Sequence, residues 1–190
     1  SSRWCVGVSF GSRSRALVLR GDRTALMIAS HGIDEPVGEA VSAMREFTDQ
    51  RVYLYITGNS ASLAPHVKQD APPNVVFTGF LAEQDFVDML YSVDVIMVLT
   101  TAEACMLCGC YEAVAVGAPL VTSDKKALRD YFTEAIFVDN TPEGIAGGIR
   151  EALANGAHYR DRTAGLRARL ATRWSAQFAE VEKRLAALGT

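Results

Sequence analysis

Two carboxylates and three cysteines crowd one short stretch in the middle of the chain. Thr100-Thr101-Ala102-Glu103-Ala104-Cys105-Met106-Leu107-Cys108-Gly109-Cys110-Tyr111-Glu112 leaves an apolar run and enters a segment of helical character. Amides at a helix start have no partner within the helix, and the helix dipole adds partial positive charge there, so an anion such as phosphate is favoured. A carboxylate about one turn further in, where Glu112 stands, can accept two hydrogen bonds from a ribose-type diol. Read plainly, Glu112 is instead a surface helix carboxylate in a local ion pair, and Glu103 an ordinary loop residue.

The cysteines Cys105, Cys108 and Cys110 form a C-x2-C-x-C pattern that invites a metal reading. Structural zinc and iron–sulfur sites usually take four ligands, and the fourth would have to be Cys5 or a histidine from a distant loop. Cys108 and Cys110 also flank Gly109 at the helix start, which sends their side chains in different directions. The expectation is therefore no metal and no cofactor, with the cysteines packing a turn as small apolar groups. His31, in Ser30-His31-Gly32, reads either as a plain loop residue or as a contact to an anionic ligand.

These residues need a scaffold, and hydrophobic periodicity supplies one. Ala25 to Ser30, Arg51 to Thr57, Asn74 to Thr78, Asp94 to Leu99, Leu120 to Thr122 and Ile136 to Asp139 are short apolar runs, as strands covered on both faces would be. Between them, Val37, Ala40, Val41, Met44 and Phe47 recur at helical spacing after Asp34, which reads as an N-cap. Residues 59–73 read as a polar loop, and Ala82 to Ser92 as a helix with Phe86, Met89 and Leu90 on one face. Gly109 to Val116 reads as a helix stopped by Gly117 and Pro119. Ser123 reads as the cap of a helix through Phe132, with Lys125 and Lys126 on its solvated start, and Thr141-Pro142-Glu143 opens another. A closing helix from about residue 159 carries Leu166, Leu170, Trp174, Phe178, Val181, Leu185 and Leu188 three or four apart, a packing stripe. Strands alternating with helices predict an α/β fold, a doubly wound parallel Rossmann-like sheet over residues 25–190. Residues 1–24, where Trp4, Val6, Val8 and Phe10 alternate with small residues, read as a linker or the remnant of an upstream domain.

Bulk properties exclude several classes. Hydrophobic residues make up 49% of the 190 and charged residues 22%, an ordinary globular balance. The net charge of −3 comes with no basic cluster, so no nucleic-acid partner is expected. No apolar run approaches the roughly 20 residues that span a bilayer, and the Arg-bearing N-terminus does not resemble a signal peptide. Four cysteines in a chain this long are not a disulfide framework, and the expected location is the cytoplasm.

Several motifs in one order then resemble a known family. Tyr111-Glu112-Ala113-Val114-Ala115-Val116-Gly117-Ala118-Pro119-Leu120-Val121-Thr122-Ser123-Asp124 is similar to the glutamate-helix-Gly-x-Pro-strand-Ser-Asp signature of the retaining GT-B glycosyltransferases called group 1. Thr57-Gly58, the stretch Asn74 to Phe80, the stretch Tyr91 to Val95 and the late Trp174 fall where that family has equivalents. The resemblance covers residues 25–190 and implies the C-terminal, donor-binding half of a GT-B fold. It implies that Glu112 binds the donor ribose and that Phe80 and Leu81 border the base through backbone contacts. The amides of Met106, Leu107 and Cys108 would face the diphosphate or sugar, and His31 would be the one donor contact after the first strand. Glu103 would be the catalytic or sugar contact. The implied partners are a nucleotide sugar donor and an N-terminal acceptor-binding domain, without which the chain would be inactive. A lipid-linked acceptor would bring it to a membrane surface only peripherally.

Two departures from the family pattern are visible. Seven residues separate the family's paired glutamates, so the first falls on Ala104 and Glu103 stands one residue out of register. The family also places an Arg and a Lys after the first strand, whereas Ser30-His31-Gly32-Ile33-Asp34-Glu35-Pro36 offers only His31. Both keep open a degenerate GT-B half that binds partners without catalysis, and beyond it an unrelated flavodoxin-like binding module.

Overall fold

Side chains of successive strand residues point to opposite faces, and here both faces are apolar. The computed structural model describes residues 19–188. Its sheet has six parallel strands: β1 (Arg23–Met27), β2 (Val52–Thr57), β3 (Val75–Gly79), β4 (Val95–Val98), β5 (Leu120–Ser123) and β6 (Ile136–Val138). They lie in the order β3-β2-β1-β4-β5-β6. Ala25, Met27, Leu54, Ile56, Val95 and Met97 enter one core, and Leu26, Tyr55, Ile96 and Val98 the other. The first core is roofed by α1 (Val37–Ala43) and α6 (Pro142–Ala154), with Val67 of the short α2 (Pro65–Gln69) at its margin. The second is roofed by α3 (Glu83–Ser92), α4 (Cys108–Val116), α5 (Lys126–Tyr131) and the start of α7 (Gly156–Leu188). Each fully buried aliphatic or aromatic side chain contributes roughly 1.5–3 kcal/mol, so the two cores supply most of the driving force. The doubly wound parallel sheet predicted from periodicity is present.

Local details differ from the sequence reading, each for a physical reason. β1 starts at Arg23, inside the stretch read as linker, and Leu19 packs against the second core. The rest of the predicted linker, residues 1–18, lies outside the described residues. Asp34 does not cap α1, which begins after Pro36 with no side-chain cap; its carboxylate is drawn to Thr100 instead. Ser123 likewise caps nothing, because its hydroxyl serves a tertiary contact, and α5 starts after Lys125. The helix over Val37 to Phe47 tightens to a 3-10 run from Met44 to Gln50, where Asn74 Nδ2 claims the Met44 carbonyl (3.0 Å). Residues 59–73 are not all loop: they hold a 3-10 turn at Ser60–Ser62 and α2. By contrast Thr141 caps α6, accepting from the Gly144 amide at 3.0 Å, and α4 ends at Gly117 in the left-handed conformation (φ 72°), as the sequence indicated.

The closing helix begins at Gly156, a few residues earlier than expected, with only Asn155 between it and α6. Leu166 is buried and Leu170 partly so, but Trp174, Phe178, Val181 and Leu185 are each at least half exposed. The predicted stripe is thus a packing face only in its first half; Leu188 lies outside the described side chains. Glu134 accepts hydrogen bonds from Arg162 (2.5 Å) and Arg169 (2.7 Å) and so tethers the helix beside β6. Burial alone would raise the Glu134 carboxyl, but the two guanidinium hydrogen bonds outweigh it and hold the group below its ordinary value.

One glycine sets how closely α4 approaches the sheet. A Cβ on Gly109 would stand 3.0 Å from Val98 Cγ2 and 3.2 Å from Ile28 Cβ, between the ends of β4 and β1. Gly109→Val should therefore overpack this contact and cost about 1–3 kcal/mol. A lowered denaturant midpoint in equilibrium unfolding is the expected readout, and an unchanged midpoint would mean that the helix does not need this close seat.

Candidate functional site at the carboxyl ends of the strands

Neighbouring strands β1 and β4 lead to opposite faces, β1 to α1 and β4 to α4, so their loops part at the carboxyl edge and leave a crevice. Thr100, fully buried just beyond β4, ties the surrounding loops together. Its amide donates to Ser123 Oγ at the end of β5 (2.9 Å), and its hydroxyl donates to Asp34 Oδ2 in the loop after β1 (2.6 Å). Its carbonyl accepts from Asn140 Nδ2 beyond β6 (2.9 Å), and Ser123 Oγ in turn donates to Asn140 Oδ1 (2.6 Å). The Thr101 amide adds a bond to the Asp34 carbonyl (2.7 Å). Every one of these polar groups follows directly on a strand or its exit loop, so the network fixes four loops relative to one another.

From this frame the chain runs through 102–107 into α4, whose nine residues begin at Cys108. Leu107 precedes it in extended backbone and supplies no side-chain cap. Glu112 sits one turn inside, half-buried. Burial raises its carboxyl above the ordinary value, and among the described residues no charge or hydrogen bond counters that. A carboxylate desolvated without a partner is costly unless something else supplies donors. Leu81, Leu107 and Tyr111 pack together against the core on this side of the sheet. Phe80 and Met106 are exposed on the same edge, as is Ile33 at the tip of the loop after β1.

The loop after β1 is built around an internal anion. Both oxygens of Glu35 accept from the Ser30 amide (3.1 and 3.0 Å), Oε1 from the Ser30 hydroxyl (3.1 Å) and Oε2 from the Gly32 amide (2.9 Å). His31 between them adopts a left-handed backbone (φ 65°), uncommon for a residue with a side chain. Its ring covers Gly58, where a Cβ would fall 2.8 Å from His31 Cδ2. Both ring nitrogens are buried without a hydrogen-bond partner. Buried polar atoms of this kind are rare, since most find a hydrogen-bond partner.

Glu103 is exposed on the loop lip and accepts from Lys125 Nζ (2.6 Å), which reaches over from beyond β5. Lys125 was read from sequence as a solvated helix start, and the structure instead buries most of its length. Cys108 is exposed, whereas Cys110 points inward against Thr122 with its thiol pushed up to about 12, chiefly by burial, so the two do not converge. Among the described residues no three His, Cys, Asp or Glu side chains gather as a metal site. Two hollows lie elsewhere. One of about 300 Å³ at the amino edge is lined by Arg23, Asp94 and Arg160, and an open one of about 420 Å³ lies between β6 and α6. Asp94 in the first is already taken by Thr24 and Arg23, and the second is lined by Asp124 and Asp139 beyond the ends of β5 and β6.

Residues 24–155 match the sequence profile of glycosyl transferases group 1. The chain belongs to this family. Group 1 glycosyl transferases thus account for the glutamate-helix-Gly-x-Pro order, and solved structures agree on the fold. The chain is similar to α,α-trehalose 6-phosphate synthase from Burkholderia multivorans, with 15% identity and TM-score 0.67 over 90% of this chain and 44% of that one. It is similar to Anabaena HepE in complex with UDP-glucose, with 13% identity and TM-score 0.68 over 85% of this chain and 48% of that one. Staphylococcus aureus TarM, in complex with Fondaparinux, alpha-GlcNAc-glycerol and UDP, shares 16% identity and TM-score 0.66 over 86% of this chain and 35% of that one. The chain therefore spans less than half the length of each of these structures, as one Rossmann-like half of a GT-B fold does. Among curated proteins none matches it significantly. No helix of the described residues is long and apolar enough to cross a membrane.

The donor-site residues that the resemblance picked out lie at the carboxyl edge: Glu112, Leu107, Met106 and Cys108 around the start of α4, Phe80 and Leu81 beyond β3, His31 over Gly58, and Glu103 on the lip. Cys5, weighed as a fourth metal ligand, lies outside the described residues. Sequence reasoning missed the Thr100 network, the Glu35 plug and Lys125. One signal was available: Thr100, Ser123 and Asn140 each stand where an apolar strand run breaks to a hydrogen-bonding residue. Glu112 also makes a stability prediction. A carboxyl raised in the fold favours the protonated form, so its contribution is full below the unfolded value near 4.5 and is lost as pH rises through the higher folded value. Glu112→Gln should therefore raise the melting temperature of the ligand-free chain at pH 7 and change it little at pH 4. Equal melting temperatures at both pH values would show that the carboxylate is not strained.

Proposed function

We propose that this chain is the donor half of a two-domain, retaining GT-B glycosyltransferase. It binds a nucleoside diphosphate sugar and presents the hexose to an acceptor held mainly by an N-terminal partner domain. The observation that carries this reading is Glu112: a half-buried carboxylate without a partner, one turn inside a helix whose start opens on the crevice. A ribose diol supplies the two donors it lacks, and the amides of Met106, Leu107 and Cys108 supply donors to the diphosphate or sugar. Stabilising the departing diphosphate is the electrostatic task of such a site. Phe80 and Leu81 border the base, His31 offers its free nitrogens to the donor, and Glu103 is the acidic group nearest the sugar. The UDP-glucose of HepE and the UDP of TarM support a nucleotide sugar as ligand class. The exposed row of Trp174, Phe178, Val181 and Leu185 suits a surface that the partner domain covers. With no membrane-crossing helix described, the cytoplasm is the proposed location, and a lipid-linked acceptor would be met at the membrane surface.

A degenerate, non-catalytic half is the second reading, favoured by the loops 28–36 and 99–107, which carry no Lys or Arg. Calorimetric titration with UDP, GDP and ADP separates the two. The donor reading expects saturable binding of one diphosphate, weakened about tenfold or more in Glu112→Ala, the loss of charge-assisted hydrogen bonds. Binding of that diphosphate should also weaken as pH falls, starting above the ordinary carboxylate range because the Glu112 carboxyl is raised. A folded protein that binds none of the three would favour the degenerate half.

A further inference from the structure

The crevice lacks the expected cations on its first loop, yet one basic side chain reaches it from another. Lys125 follows β5, and its side chain is only 17% exposed, whereas its partner Glu103 is 79% exposed. Most of the lysine side chain is thus covered, while the carboxylate that holds its ammonium is mostly in water. Neighbouring cations are differently placed: Lys126 is exposed and pairs with Asp130, and Arg129 is paired with Asp124. On the opposite side of the crevice, the amides of Ser30 and Gly32 are already satisfied by Glu35. They are not available to a phosphate unless that carboxylate leaves.

Resting on the donor-domain reading above, we propose that Lys125 is the diphosphate-binding cation of this chain and that Glu103 is its exchangeable counter-ion. In the empty site Glu103 occupies the ammonium. An ion pair with one exposed partner contributes at most about 1 kcal/mol, because water competes for the carboxylate. A diphosphate carries more charge and more acceptor oxygens than one carboxylate, so it displaces Glu103 and takes the ammonium. Glu103, released on the lip of the same loop, is then free to turn toward the sugar hydroxyls. The clamp is thereby supplied from the loop after β5 rather than from the loop after β1. No bond is made or broken in this step; one ion pair is exchanged for another.

The test is calorimetric titration of the 190-residue chain with UDP, GDP and ADP at low and high salt. The variants are Lys125→Met, Lys125→Arg, Glu103→Gln and, as a control on an exposed lysine, Lys126→Met. Thermal unfolding of each verifies that it is folded. For the diphosphate that binds, Lys125→Met should weaken affinity about tenfold or more and flatten its salt dependence. Lys125→Arg should recover most of the loss, and Lys126→Met should change nothing. Glu103→Gln should tighten binding about two- to fivefold, the share that an exposed competing ion pair accounts for. Affinity within twofold of the parent in Lys125→Met would overturn the assignment while leaving the donor reading intact. Weakening by Glu103→Gln as large as that by Lys125→Met would make the pair a structural tether and overturn the exchange. Absence of binding in the parent chain itself would instead overturn the donor reading on which both depend.

Discussion

The hydrogen bonds of Thr100 are the constraint on which the carboxyl edge depends. A parallel sheet roofed by helices on both faces exposes its chemistry only at the strand ends, and there the exit loops have to hold a common geometry. Thr100 uses its amide, hydroxyl and carbonyl to hold Ser123, Asp34 and Asn140, one partner from each of three other loops. Because Thr100 is fully buried, losing any of these partners would leave a desolvated polar group, which costs about 1–3 kcal/mol. The loops are consequently cross-linked where they leave the sheet, which gives a binding crevice fixed roots.

Charge is distributed around this frame in an uneven way. Glu112 is desolvated and unpartnered, His31 holds two unsatisfied nitrogens, and Lys125, largely covered, is paired with an exposed carboxylate. Elsewhere Glu134 is shared by Arg162 and Arg169, while pairs such as Lys126 with Asp130 and Arg184 with Glu180 are local and solvent-facing and contribute little. Glu112, His31 and Lys125 stand at the carboxyl edge, while at the amino edge Asp94 is held by Thr24 and Arg23 and Asn74 keeps one buried oxygen, Oδ1, without a partner.

Most of the architecture could be read from periodicity because both sheet faces are covered, which leaves strands as short unbroken apolar runs. Thr141 and Gly117 were legible as helix ends because their function is local: a cap reaches three residues, and a left-handed residue reaches none. Asp34 and Ser123 looked like caps for the same reason and were not, since their oxygens are engaged 66 and 17 residues away. Lys125 was read as solvated because two adjacent lysines look alike in sequence; only the course of the 102–107 loop separates the buried one from the exposed one. The stripe on α7 shows the converse limit. Its spacing was plain, but spacing states which residues share a face and not whether anything covers it, and beyond Leu170 the face is mostly exposed, with Trp174 Nε1 reaching the Tyr131 hydroxyl at 3.3 Å. Family resemblance added what periodicity could not, a reason to single out Glu112, while pointing to no cation in the crevice beyond His31.

The most direct measurement is a backbone amide chemical-shift map of the ¹⁵N-labelled chain titrated with the nucleoside diphosphate it binds. If the crevice between β1 and β4 is the nucleotide site, the shifts should concentrate at 79–81, 100–112 and 123–125, and the amino edge around Arg23, Asp94 and Arg160 should stay still. Shifts confined to that amino edge, or to the open face between β6 and α6, would contradict it.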